Sequence, residues 1–409
     1  MPASTTTMSS RVSKTIILRP ISPRPPRGTT RRPSAGIELT GTPCPTSPPY
    51  PSRSARAGAA RFLPGWNAPP ILDGEQTAAR RSASRGPEAD PPTEKEPVMF
   101  GSQLRNHATS WADVKAVLAV MEAGRWTSAY TYDHFVPPRG YHNPTDEVSE
   151  YDSIPTLEGW SLLASMAAVT SRLELGVLVG GNTYRNPVLT AKMAATIDEV
   201  SGGRVILGIG TGWNVREHRA YGWDFPSMKE RSDRLEEACG LLRLLFDSDG
   251  LVDYHGRYYT LRQAPFEPRG IRRPIPIMVG GEGPKRTLKT LAMYGDIMNV
   301  CATPEDLKRQ RAILEQHCDA VDRDPAQITT TVHMPIRIIR DDQQAREDRA
   351  RNYTVRLGPD WTLIGTPQYL IDKCGAYIDA GVDEFCFASI EQKPEFYEEL
   401  DAEVFAAFD

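Results

Sequence analysis

Strand-like and helix-like runs alternate eight times between Met99 and Asp409, and this alternation limits the fold more than any other feature of the chain. The strand runs are Met99–Leu104, Thr127–Asp133, Leu173–Val179, Val205–Gly210, Pro276–Gly280, Asp296–Val300, Thr329–Ile339 and Glu384–Ala388. Most are short and apolar with little internal alternation, the pattern of parallel strands covered on both faces. Eight strands, each followed by a helix, point to a closed (β/α)8 barrel, a TIM barrel; an open doubly wound sheet is written with similar patterns. The region's 311 residues suffice for one barrel, which typically takes about 250.

The helices mark their own ends. Ser110 and Asp113 predict a capped helix with Val114, Val117, Leu118 and Met121 on one face. Asn186-Pro187 starts another, with Leu189, Met193, Ile197 and Val200 expected inward and Gly202 as the stop. Ser227 and Glu230 cap a helix carrying Leu235, Cys239, Leu242 and Phe246, and Thr303-Pro304 and Thr366-Pro367 repeat the cap-then-proline start. Two connections are long. Pro137–Leu157, with Tyr141, His142 and Tyr151, reads as a lid over a substrate. Asp247–Pro274 contains a hairpin, Asp253-Tyr254 and Tyr258-Tyr259 around His255-Gly256, read as structural.

The first 98 residues differ in kind. They hold 18 of the 35 prolines and 14 Lys+Arg against 7 Asp+Glu. Such a Pro/Arg/Ser-rich stretch cannot bury enough apolar area to offset its ordering entropy, so it is expected to be a disordered extension. A start codon placed too far upstream, a disordered interaction tail and an Arg-rich leader are the other readings. The whole chain carries −4, so its +7 leaves −11 on residues 99–409, which offers nucleic acid no basic stripe. No run reaches the ~18 apolar residues of a membrane span. The six cysteines form no Cys-x-x-Cys pair, and the seven histidines no metal spacing, so free thiols in the cytoplasm and no metal site are expected.

Active sites of such barrels lie where strands end. The second strand ends in Asp133-His134, an imidazole beside a carboxylate, suited to general acid–base work and equally at home as a structural His. The third ends in Val177-Leu178-Val179-Gly180-Gly181; the paired glycines allow a flat ligand close or simply make a tight turn. The fourth ends in Gly210-Thr211-Gly212-Trp213-Asn214. Its glycine spacing does not match a dinucleotide fingerprint, and no helix is expected directly after it. Here Trp213 is either a stacking wall or a buried structural residue. The fifth ends in Gly280-Gly281-Glu282-Gly283-Pro284, with a helix expected from Pro284. Its free N–H groups suit a phosphate, beside Lys285 and Arg286, or form a plain turn, and the Glu282 charge must point away from any phosphate. No Gly-x-Ser-x-Gly elbow is present, which argues against hydrolases.

These strand ends, in order with Ser171–Gly176, Tyr184–Pro187, Ser201–Arg204, Leu207–Trp213, Glu217–Gly222, His255–Tyr259 and Gly280–Pro284, resemble the luciferase-like monooxygenase superfamily over nearly all of residues 99–400. Within it the chain looks most like the branch that uses coenzyme F420, a 5-deazaflavin hydride carrier. The resemblance implies that Asp133 and His134 lie over the reactive ring carbon. It also implies that Val177, Leu178, Val179 and Gly180, through a bulge often containing a cis peptide, back the ring. By the same resemblance Gly212, Trp213 and Asn214 line the cofactor pocket, and Gly280, Gly281, Glu282, Gly283 and Pro284 hold its phosphate. Hydride transfer to or from a small organic substrate is the implied activity, in a homodimer. An FMN-dependent monooxygenase fed by a separate flavin reductase is the alternative, and a non-catalytic flavin-binding barrel a third. Trp213 stands where F420-dependent sugar-phosphate dehydrogenases carry a catalytic Glu, so that particular activity is not expected. Glu282 also replaces a small residue.

Overall fold

The structure, a computed structural model, describes residues 97–138, 153–352, 357–358, 361–389 and 391–409. The chain divides into two units, Met1–Asn67 and Ala68–Asp409, and every described residue lies in the second. The expectations for the proline-rich extension and for Tyr141, His142 and Tyr151 therefore fall outside the described residues.

Eight parallel strands close into a barrel. In chain order they are β1 (Met99–Gln103), β2 (Trp126–Thr131), β3 (Glu174–Val177), β5 (Val205–Gly210), β8 (Ile277–Gly280), β9 (Ile297–Val300), β10 (Thr329–Ile338) and β12 (Glu384–Ser389). Each pairs with the next, and β12 pairs with β1 to complete the ring. The two-residue β4 (Gly180–Gly181) extends β3 along β5, and β11 (Leu363–Gly365) pairs with the end of β10. A separate hairpin, β6 (Val252–His255) with β7 (Thr260–Ala264), forms where the His255-Gly256 turn was expected.

The helices are α1 (Trp111–Ala123), α2 (Gly159–Ala167), α3 (Pro187–Ser201), α4 (Val215–Tyr221), α5 (Met228–Asp247), α6 (Thr287–Tyr294), α7 (Pro304–Asp319), α8 (Asp342–Asn352), α9 (Pro367–Asp379) and α10 (Pro394–Glu403). Their starts are set by local chemistry. The Ser110 hydroxyl accepts from Asp113 N–H while the Asp113 carboxylate accepts from Ser110 N–H, and Asn186, Ser227, Thr303 and Thr366 cap α3, α5, α7 and α9. Gly202 ends α3 in the left-handed region at φ 76°. In α1 the predicted face, Val114, Val117, Leu118 and Met121, is the buried one.

In α3 it is not. Leu189 and Val200 are 52% and 54% exposed, and only Ile197 of the expected four is fully buried. The inward face is Thr190, Ala191, Ala194, Ala195 and Asp198. Small side chains let the helix lie close to the sheet, so apolarity alone misassigns the face. The Asp198 carboxylate is matched by the N–H groups of Val205, Ile271 and Arg272 at 2.7–3.1 Å.

The core has two shells. The larger lies between strands and helices. The smaller fills the barrel itself with Tyr130, Leu178, Ile206, Met278, Ile297 and Cys386. Five cysteines, Cys239, Cys301, Cys318, Cys374 and Cys386, are free thiols. Among the described residues no helix is long and apolar enough to cross a membrane.

Candidate active site

β2 runs buried to Thr131 and delivers Asp133 and His134 just past its end. The two side chains take separate partners. Asp133, 3% exposed, receives both oxygens' worth of contact from one nitrogen of Arg185 at 2.7 and 2.8 Å, plus Gly181 N–H at 3.1 Å. Burial pushes its carboxyl above the usual carboxylate range, against the opposing pull of Arg185 and the Gly181 N–H. Arg185 extends the link to Glu158 at 2.7 Å, the residue that caps α2.

His134 Nδ1 lies 2.8 Å from Oε2 of Glu217, a fully buried carboxylate on α4. Glu217 also accepts from Phe135 N–H at 2.6 Å, Val136 N–H at 3.1 Å and the Tyr184 hydroxyl at 2.6 Å. Burial alone would raise it. The hydrogen bonds from His134, Tyr184 and Val136 outweigh that and hold it below the usual carboxylate range. Phe135, Tyr184 and Trp223 pack around the network with ring centroids 4.8–5.4 Å apart. Trp213 stands edge-on to His134, centroids 5.1 Å apart.

A helix does follow the fourth strand directly, contrary to expectation. Asn214, 4% exposed, caps it by accepting from Glu217 N–H at 3.4 Å. The same turn thus starts α4 and brings Glu217 to His134. Nothing in the residue pattern distinguished Glu217 from a solvated helical acid, although it sits inside the matched Glu217–Gly222 segment. Arg185 and Tyr184, also in a matched segment, carry no sequence signal of their partners either.

Beside this pair, the Leu178–Val179 peptide is cis. Leu178 N–H donates to Thr131 O at 2.7 Å, and its carbonyl accepts from Gln103 Nε2 at 2.5 Å. Val179 drops between three strand glycines. A Cβ would come within 3.1 Å of its methyls at Gly208, 3.0 Å at Gly210 and 2.6 Å at Gly280. Gly180 and Gly181 serve the protein's own contacts: their added Cβ atoms would meet Gly208 O at 3.1 Å and the Tyr184 ring at 2.6 Å. Gly212 has φ 75° and lies against Thr183.

At the fifth strand end the turn is longer than expected, and the helix starts at Thr287 rather than Pro284 because residues 284–286 form a turn. Gly281, at φ 126°, donates its N–H to Asn299 O at 3.1 Å. The Glu282 carboxylate accepts from Cys301 N–H at 3.2 Å. No side chain caps α6. Arg286 is spent on Asp233 and Glu236 at 2.6 and 3.3 Å, whereas Lys285 is exposed. The hairpin is tied to the third strand end through Asn182. Glu237 of α5 accepts from the N–H groups of Arg257, Tyr258 and Tyr259 at 2.8–3.1 Å, and Asn182 Nδ2 donates to the Tyr259 hydroxyl at 3.2 Å.

Comparison with known proteins identifies the family. The luciferase-like monooxygenase family matches residues 98–362. An F420-dependent glucose-6-phosphate dehydrogenase of Amycolatopsis mediterranei (strain U-32) is 29% identical over 295 residues, 64% of this chain and 83% of that protein. One of Kineococcus radiotolerans is 35% identical over 228 residues, 54% and 62% of the two chains. The fold is that of an F420-dependent secondary alcohol dehydrogenase solved with an F420–acetone adduct: TM-score 0.63, 21% identity, 76% of this chain and 98% of that one. With the barrel, its strand-end residues and this match over most of the described region, the chain belongs to the luciferase-like monooxygenase family of oxidoreductases.

Proposed function

We propose that the chain is an F420-dependent oxidoreductase that moves a hydride between the deazaflavin and a small organic substrate. The observation that carries the reading is His134. It stands at a strand end with Nδ1 tied to a buried carboxylate, and its other ring nitrogen has no protein partner among the described residues. The named activities of the two dehydrogenase relatives support the cofactor.

The residues present fit a flat ring with a phosphate. Seating Val179 among Gly208, Gly210 and Gly280 leaves the Leu178–Val179 backbone as a wall beside His134. Val177 and Gly180 flank that wall, and Gly212 and Trp213 close it on the β5 side. Asn214 acts through its cap on α4 rather than by contact. Gly280, Gly281, Gly283 and Pro284 lead to the uncapped start of α6, and Glu282, drawn to Cys301, leaves that start to an anion near Lys285.

The deazaflavin supplies the hydride chemistry when bound. His134 holds or releases the accompanying proton at Nε2, and Glu217 fixes the ring orientation at Nδ1. Asp133, matched by Arg185, anchors the strand end beneath them. Trp213 in place of an acid leaves His134 as the proton-handling side chain on this wall. The outward stripe of Leu189 and Val200 on α3 supports a homodimer.

Fluorescence titration with coenzyme F420 and, separately, FMN tests the reading. Tight binding of F420 with weak or no binding of FMN is expected. Preference for FMN would move the chain to the monooxygenases that receive reduced flavin, and binding of neither would remove the cofactor site.

A further inference from the structure

Among the described residues, one charged side chain at the barrel mouth, Arg105, has no counterion. β1 turns alternate residues inward: a Cβ on Gly101 would approach the Tyr130 ring and the Glu384 carboxylate, and Gln103 reaches the Leu178 carbonyl. Leu104 is buried in the outer core, and its N–H still bonds Tyr130 O at 2.8 Å. The alternation therefore continues to Arg105 and puts that side chain on the mouth side. Arg105 is partly buried, and its Nε is buried without an acceptor. Among the described residues no carboxylate or carbonyl meets the guanidinium; only the backbone N–H is engaged, by Gln392 Oε1 at 2.5 Å.

Several other partly buried arginines are matched. Arg185 binds Asp133 and Glu158, Arg204 closes on the carbonyls of Leu173 and Thr170, Arg323 on those of Ala292 and Gly295, and Arg337 grips Glu391 and Asp348. A buried guanidinium nitrogen without an acceptor is costly until an anion supplies one.

Its neighbours lead to the reactive side of the site. His107 Nδ1 is hydrogen-bonded to the Tyr132 hydroxyl. The Tyr132 ring lies 6.0 Å from that of His107 and 5.8 Å from that of His134. Burial and then the charge of Arg105 hold the His107 imidazole below its usual range, so it stays neutral beside the guanidinium. Arg105, His107, Tyr132 and His134 thus form a row across the adjacent ends of β1 and β2.

We propose that Arg105 is the anion-binding residue of the substrate site: the substrate carries an oxyanion, carboxylate or phosphate, that pairs with this guanidinium while its reactive carbon is presented toward His134. The planar fork of N–H donors suits either oxyanion. The inference rests on the reading of His134 given above.

Calorimetric titration of the full chain with inorganic phosphate and, separately, acetate, at constant ionic strength, tests it. Each titration is run with and without saturating F420, so that occupation of the Gly281–Pro284 loop separates that loop from Arg105. Saturable binding that survives F420 is expected. It should weaken about 10-fold or more in Arg105→Gln and less in Arg105→Lys, with F420 affinity unchanged in both variants as the check on folding. Stronger phosphate than acetate binding assigns a phosphate ester, and the reverse a carboxylate. Equal anion affinity in wild type and Arg105→Gln, or no anion binding by a protein that binds F420, overturns the proposal. Arg105-dependent anion binding in a protein that does not take F420 would leave this site standing and sink the cofactor reading instead.

Discussion

Two buried glutamates at opposite ends of the barrel show how the partner, not the depth, sets ionisation. Glu217, at the mouth, is fully buried and accepts from two backbone N–H groups, an imidazole and a phenol. Its carboxyl sits below the usual range. Glu384, at the start of β12, is 3% exposed, and among the described residues its carboxyl accepts only from the hydroxyls of Ser128 and Tyr130. Burial raises it to about 7. Hydroxyls solvate a charge less completely than aligned N–H groups and a neighbouring imidazole. The mouth therefore keeps a fixed negative charge behind His134, while the floor carboxyl stays protonated through the range where an ordinary glutamate has already ionised.

The comparison breaks most severely at the mouth. Removing the imidazole in His134→Ala is expected to lower turnover about 10²–10⁴-fold, measured on any substrate the parent converts with F420. Glu217→Gln keeps the shape and loses the charge, so a fall of about 10–100-fold is expected. Unchanged turnover in Glu217→Gln would mean that the charge behind His134 is not used.

Stability sharpens the contrast through opposite signs. A carboxyl raised in the folded state is neutral in both states below pH 4.5; above that the unfolded chain ionises first, and stability falls until about pH 7. Glu384→Gln should therefore gain on the parent between those values, by up to about 3 kcal/mol at pH 8, and match it at pH 4. Glu217 is depressed, so its contribution is present above the usual carboxylate range and is lost as pH falls through its lowered value. Glu217→Gln should be the less stable protein at pH 8 and approach the parent in acid. Denaturant melts at both pH values read both variants, and equal signs would refute the contrast.

Smaller effects follow. Gly280→Ala forces its methyl onto Val179 and should cost about 1–3 kcal/mol while lowering F420 affinity. Leu189→Glu, on the outward stripe of α3, should leave stability within about 0.5 kcal/mol and shift the molecule toward monomer by light scattering. An unchanged mass from a dimeric parent would place the interface elsewhere.

The barrel was legible because buried parallel strands are written as short apolar runs between capped helices, and Ser110, Asn186 and Ser227 mark starts by side-chain chemistry that acts locally. The inward face of α3 was not legible, because close packing on the sheet selects Ala191, Ala194 and Ala195 while Leu189 and Val200 look more apolar. At the site, Asp133 and His134 could be singled out because a strand end is a local signal. Their partners Arg185 and Glu217 come from 52 and 83 residues away, and only the closed barrel brings them in.

The seat of Val179 has an evolutionary consequence. Its side chain occupies space that Gly208, Gly210 and Gly280 leave vacant on two different strands. Enlarging Gly210 or Gly280 crowds its methyls first, whereas a side chain at Gly208 meets the Val177 carbonyl oxygen before it reaches Val179. Val179, Gly210 and Gly280 therefore form one unit of inheritance: among related chains a bulkier residue at 210 or 280 should appear with a smaller one at 179, while Gly208 should stay glycine whatever stands at 179.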